Sequence, residues 1–181
     1  MRVLSNFGLA MAVAAAKPVL AAEPEKQPDG SWLTEYAMPG DWVVWRFSSD
    51  PAGKQNVYCT ARINIEADLH ARFSYNAGRQ EFGFGPTASG MAGKKDKVTV
   101  WFDKNKKTST VYEGEYGADG GAGDYLAVIQ KNATPAAGDA FRGRKFISFG
   151  YRSDNASRVD TASLKGVKPA FAKLFDCAAG R

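Results

Sequence analysis

The chain has 181 residues, 44% of them hydrophobic and 24% charged, with a formal charge of +5 at neutral pH. That is enough chain for one domain with a real core and an ordinary hydrophobic fraction for a globular protein. The surplus of positive charge is too small to argue for a nucleic-acid partner. Nineteen glycines and 12% aromatic residues favour a turn-rich β fold over a helical one.

The chain begins MRVLSNFGLAMAVAAAKPVLAAE. Arg2 supplies a positive start, Val3 to Ala16 an apolar run, and Ala21 and Ala22 the small residues that a signal peptidase prefers. Residues 1–22 are therefore expected to be a signal peptide, and the mature protein periplasmic or secreted. The apolar run is too short to span a bilayer as a helix, and no later run is longer, so no transmembrane segment is expected in the mature chain. Loss of Arg2 and Lys17 with this segment lowers the +5 charge by two. In an oxidising compartment the two cysteines are expected to be paired rather than free.

Residues 23–30 are polar, carry prolines and read as a leader segment before a single β-rich domain over 31–181. DWVVWRF (Asp41 to Phe47) is a short, heavily apolar run after the turn signal MPG. Trp42 and Trp45, three apart, fall on opposite faces of a strand, so at least one belongs to the core. NVYCTARINIEA alternates, with Val57, Cys59, Ala61, Ile63 and Ile65 on one face. LHARFSYN repeats the pattern with Leu69, Ala71, Phe73 and Tyr75. A hairpin through Glu66-Ala67-Asp68 matches apolar with apolar residues, placing Ala61 opposite Phe73 and Arg62 opposite Arg72.

EFGFGP, DKVTVWFDK, STVYEGEY, DYLAVIQK and RKFISFGYRS supply further strands. PTASGMAGKK, GADGGAGD and NATPAAGDA read as the turns between them. About eight strands at this spacing predict an all-β fold, an antiparallel β-sandwich or open barrel. Only the end of the chain changes period. Val167, Phe171, Leu174 and Phe175 form a helical stripe, with Pro169 in the first turn. This helix is too short to stand alone and must pack on the sheet.

Several chemical constellations follow from residue type. His70 is the one histidine; a nucleophilic site would have to use it, but it falls on the polar face of its strand, where a solvated histidine is the commoner case. No metal site is expected, because one histidine and two distant cysteines match no ligand spacing. Gly120 to Asp124 departs from the calcium-binding nonapeptide and is not repeated, which leaves Asp119 and Asp124 as weak candidates only. Lysines at both ends of VTVWF read as solubility and edge protection. The four tryptophans are candidates for a carbohydrate platform. Asn132 and Asn155 begin glycosylation sequons that matter only in a eukaryotic secretory pathway. Arg62 and Arg72, side by side on a polar face, repel each other. Either a neighbouring acid such as Glu66 relieves them or the pair binds an anion.

Cys59 lies on the apolar face of its strand, where the helix must dock, and Cys177 lies at the end of the helix. The two are expected to form a disulfide that pins the chain end, with Cα atoms within roughly 7 Å.

The N-terminal segment, DWVV, VYCTA and the ending SLKGVKPAFAKLFDC together resemble small exported proteins of Gram-negative bacteria, the invasion-associated locus B family. The likeness rests on Leu164, Gly166, Phe171, Leu174 and Cys177 and covers about a third of the chain. The resemblance implies a periplasmic or surface location and a non-enzymatic role near the cell envelope or host. No catalytic residue and no cofactor is expected. The expected partner is an envelope or host protein, or, for a periplasmic small-ligand or carbohydrate-binding module, a small anionic or glycan ligand. A hydrolase built on His70 is the third reading.

Overall fold

Alternation of apolar and polar residues marks strands, and several stretches of this chain show it. The computed structural model describes residues 23–63, 71–86, 94–119, 123–153 and 156–181, with side chains omitted over 116–127. Eleven strands are present among them: β1 (Glu25–Lys26), β2 (Trp32–Ala37), β3 (Trp42–Ser48), β4 (Tyr58–Ile63), β5 (Arg72–Asn76), β6 (Glu81–Gly85), β7 (Lys95–Phe102), β8 (Thr110–Asp119), β9 (Gly123–Gln130), β10 (Phe146–Ser153) and β11 (Ala156–Ser163). One helix, α1 (Val167–Ala178), closes the chain.

All pairings are antiparallel, and the hydrogen-bonded order is β1-β2-β3-β4-β5-β6-β9-β8-β7-β10-β11. β9 joins two sheets. Its end, Val128–Gln130, pairs with β6 in the first, and its start pairs with β8 in the second. The result is a β-sandwich with a terminal helix and no closed barrel. Three strands lie outside the eight expected: β1, inside the segment read as leader, β2 and β11. Each is at or next to an end of the strand order, where burial on one face is too slight to impose an apolar alternation.

The expected β4–β5 register is present, with Ala61 opposite Phe73 and Arg62 opposite Arg72; its connecting residues 64–70, His70 among them, lie outside the described residues. Trp42 is fully buried, while Trp45 is half-buried on the other face. The inner face of β3–β6 offers Trp42, Val44, Cys59, Ala61, Phe73 and Phe82, and the second sheet offers Val98, Val100, Ile147 and Phe149. Phe141 fills the space between them, 5.3 Å from the Phe84 ring and 5.7 Å from that of Phe102 on β7.

Phe141 ends a 3₁₀ helix, Pro135–Phe141, in a stretch expected to be only a turn. Thr134 caps it, its hydroxyl accepting the Ala136 N–H at 3.3 Å. A Cβ on Gly138 would lie 2.7 Å from the Phe171 ring, so only glycine lets this segment approach α1 so closely.

Helix α1 packs on β3, β4 and β5 through Val167, Phe171, Leu174 and Phe175, all buried. The Phe171 ring meets Phe73 edge-on at 4.9 Å, and Phe175 meets Tyr75 at 5.1 Å. Gly166, at φ 79°, turns the chain into the helix above Trp42, whose indole N–H donates to the Lys165 carbonyl at 2.7 Å. The Cys59–Cys177 disulfide is present, with Cα atoms 6.2 Å apart and a sequence separation of 118 residues. In the chain-entropy account a loop of that length removes about 4–5 kcal/mol of disorder from the unfolded state. No helix among the described residues is long and apolar enough to cross a membrane.

Candidate functional site

Three turns and the end of α1 meet around a cleft of about 860 Å³, within the range of small-ligand pockets. The β1–β2 turn contributes Asp29, Gly30 and Ser31; the loop after β3 contributes Ser49, Lys54 and Asn56; the β5–β6 turn contributes Gly78 and Arg79. Tyr58 at the start of β4 and residues Ala178, Ala179 and Gly180 complete the wall. Cys177 immediately precedes that wall and is bonded to Cys59, next to Tyr58, so the bridge fixes the chain end against the first residues of β4.

Each of the three turns is tied by its own Asx side chain, the short carboxylate or amide that satisfies backbone donors just ahead of it. Asp29 accepts the Ser31 N–H at 2.9 Å and the Ser31 hydroxyl at 2.7 Å. Asp50 accepts the N–H groups of Gln55 at 2.6 Å and of Ala52 and Lys54 at 2.9 Å. Asn76 accepts the Arg79 N–H at 2.9 Å. The Ser31 bonds hold the Asp29 carboxyl below its ordinary range, and the Gln55 bond does the same for Asp50. Both are therefore ionised at neutral pH, and the rim carries Asp29 alongside the cations Lys54 and Arg79. The named charged side chains of the rim are thus one carboxylate and two cations.

The expected arginine pair is elsewhere, on the outer face of β4 and β5, and neither residue lines the cleft. Arg62 is half-buried, with its guanidinium carbon 5.6 Å from the Trp45 ring centre. Burial lowers its pKa from the ordinary arginine value, but a guanidinium stays protonated in proteins. Arg72 corrects the expectation of a solvent-facing pair. Its side chain is buried, 8% exposed, with the guanidinium 5.8 Å from the Phe47 ring. The cause is β3. Val43, Trp45 and Phe47 make its outer face apolar too, and the arginines settle on that face over separate rings. The run DWVVWRF, apolar at both parities, was the signal for this second face.

Other expectations are also placed. Trp42 and Trp101 are buried, and Trp32 and Trp45 each lie beneath a cation, so the tryptophans do not assemble an open platform. β7 pairs with β8 over Lys95–Val100 and with β10 over Thr99–Phe102, so Lys95 and Lys97 lie on the half that is paired to β8 alone. Lys104 and Lys106 lie over Phe146 and Trp101, at 5.0 and 5.4 Å. Among the described residues no group of three His, Cys, Asp or Glu is placed to hold a metal ion. The side chains of Asp119 and Asp124 are outside the described set. Sequence reasoning missed the cleft because its lining comes from turns some 20 to 150 residues apart; the turn signals PDGS, SDPAGK and YNAGR were legible, but not their convergence.

No protein-family model, curated protein or solved structure matches the chain.

Proposed function

We propose that the chain is an exported, non-enzymatic binding protein of the bacterial envelope, a host-interaction or invasion-associated factor, with the bridged cleft as its binding surface. The observation that carries this reading is the construction of the cleft. Its three turns are pre-organised by Asp29, Asp50 and Asn76, and its fourth wall is the chain end held by Cys59–Cys177. Pre-organised walls reduce the ordering cost of binding. The bridge supports an oxidising compartment, and the residues behind the family resemblance all serve the docking of α1: Leu164, Phe171, Leu174 and Cys177 are buried, and Gly166 makes the bend.

The test is a pull-down from envelope extract with the wild-type protein and with Lys54→Ala/Arg79→Ala. The expected result is a partner retained by the wild type and lost by the variant. Equal retention by both overturns the cleft as the binding surface. Mass spectrometry of protein from its native host is expected to find residues 1–22 removed; an intact start contradicts export.

The cations at the rim favour a second reading, a periplasmic module for a small anionic or glycan ligand. Titration with phosphate and sulfate and a glycan array separate it from the first. Loss of anion binding in Lys54→Ala/Arg79→Ala places the ligand in the cleft; loss in Arg62→Ala/Arg72→Ala alone places it on the outer sheet face.

A further inference from the structure

The strand order ends in β11, so one side of that backbone has no neighbouring strand among the described residues. At the other end β1 has only two residues, whereas β11 has eight. Ala156 to Val159 and Thr161 are exposed, Val159 to 61%. A long exposed edge is a template for another strand.

Two hydrogen bonds define which groups point outward. The Leu164 N–H donates to the Lys145 carbonyl at 2.8 Å, continuing the β10–β11 ladder. The Asp103 N–H donates to the carbonyl of Phe146, turning that residue away from its β11 partner Ser163. By the alternation of an antiparallel ladder, the even-numbered residues of β11 bond to β10, and Ser157, Val159 and Thr161 present their N–H and C=O groups to the open side.

The sequence over Ala156 to Ala162 is Ala-Ser-Arg-Val-Asp-Thr-Ala, chemically palindromic about Val159. Arg158 and Asp160 are opposite Tyr151 and Phe149 in β10 and so share one face. The Tyr151 hydroxyl donates to the Asp160 carboxylate and holds it in place.

We infer that β11 pairs antiparallel with β11 of a second copy of this chain, about a two-fold axis at Val159. Val159 then meets its own mate, Arg158 lies opposite the second copy's Asp160 and Asp160 opposite its Arg158, Ser157 meets Thr161, and Ala156 meets Ala162. The outward residues 157, 159 and 161 are the ones this register needs for its hydrogen bonds. Sliding one strand by two residues centres the axis on Arg158 or Asp160 and sets like charges face to face; sliding by one opposes outward groups to inward ones. Charge and backbone direction therefore select the same register independently. A contact through one strand per copy stays below the ~1,200 Å² of a standard interface. The dimer is accordingly weak, dependent on concentration and sensitive to salt.

Sedimentation equilibrium of the purified protein up to about 1 mM tests this. A monomer–dimer equilibrium at low salt, weaker at ~1 M salt, is expected. Arg158→Asp alone and Asp160→Arg alone should each weaken association by roughly tenfold or more, since both cross-strand pairs become repulsive. An equimolar mixture of the two variants should associate again as a heterodimer, because each chain then carries one sign of charge. Val159→Pro removes the central outward N–H, leaves the bonds to β10, and should abolish the dimer. A wild-type monomer throughout, a dimer untouched by Val159→Pro, or folded charge variants whose mixture associates no better than either alone would each overturn the inference. If Asp160→Arg does not fold, the wild-type and Val159→Pro measurements decide.

Discussion

The two sheets are secured differently. The β3–β5 region is backed by α1, whose Phe171, Leu174 and Phe175 are buried, and is covalently tied to the chain end by Cys59–Cys177. The β7–β10–β11 region has no α-helix and no bridge of its own among the described residues; its inner face rests on Val98, Val100, Ile147 and Phe149, and its outer strand has no second neighbour among them. The contrast teaches that the chain concentrates its reinforcement at the end that carries the cleft and leaves the opposite edge available for pairing.

The largest effect should come from removing the reinforcement. Cys59→Ala/Cys177→Ala is expected to lose about 2–5 kcal/mol of unfolding free energy in urea titration. A loss under ~1 kcal/mol would mean that packing alone secures α1 and that the two regions are less different than they look. Next comes the close approach of the 3₁₀ helix to α1. Gly138→Val forces atoms into the Phe171 ring, which a Cβ would already approach to 2.7 Å, and should cost about 1–3 kcal/mol. The same urea titration reads it, and an unchanged midpoint would show that the two segments separate freely.

Gly166→Ala sharpens the comparison at the entry to the helix. At φ 79°, with the Trp42 ring 3.3 Å from the new methyl, the substitution should cost about 1–2 kcal/mol. Thermal unfolding measures it; a stabilised variant would mean that the left-handed bend is not needed. The smallest effect is local and pH-dependent. The folded-state pKa of Asp50 lies below its ordinary value of 3.8, mainly through the Gln55 N–H. Its contribution is therefore fully present above that ordinary value and is lost as pH falls through the depressed one. Protection of the Ala52, Lys54 and Gln55 amides, relative to their intrinsic exchange at the same pH, should fall at acid pH, and Asp50→Ala should show the lower protection already at neutral pH. Identical exchange in the two proteins would dissociate the carboxylate from the order of the loop.

Legibility in the sequence followed burial. Cys59 opposite Tyr75 and Ala61 opposite Phe73 impose one register, because a slip by one residue would turn an apolar set outward. The stripe from Val167 to Phe175 has no reading other than a helix face, and Cys59 and Cys177 at matching positions imply the bridge. β2 and β11 were not legible, since half-buried or exposed strands need no alternation, and TEY and SRVDT look like loops. Pro135–Phe141 was hidden by its turn residues, although Phe141 is central to the core. The burial of Arg72 depended on the outer face of β3, a partner that local pattern does not identify. The cleft depended on tertiary convergence of three turns.

Hydrogen exchange of the oxidised and reduced protein tests most directly the claim that the bridge holds the chain end at the cleft. On reduction, amides of Phe171 to Ala179 should lose protection by more than those of Val98, Val100, Ile147 and Phe149, because α1 gains a route to open without the second sheet. An equal loss in both sets, or none in α1, would contradict the claim that the bridge, rather than the core as a whole, secures this end of the molecule.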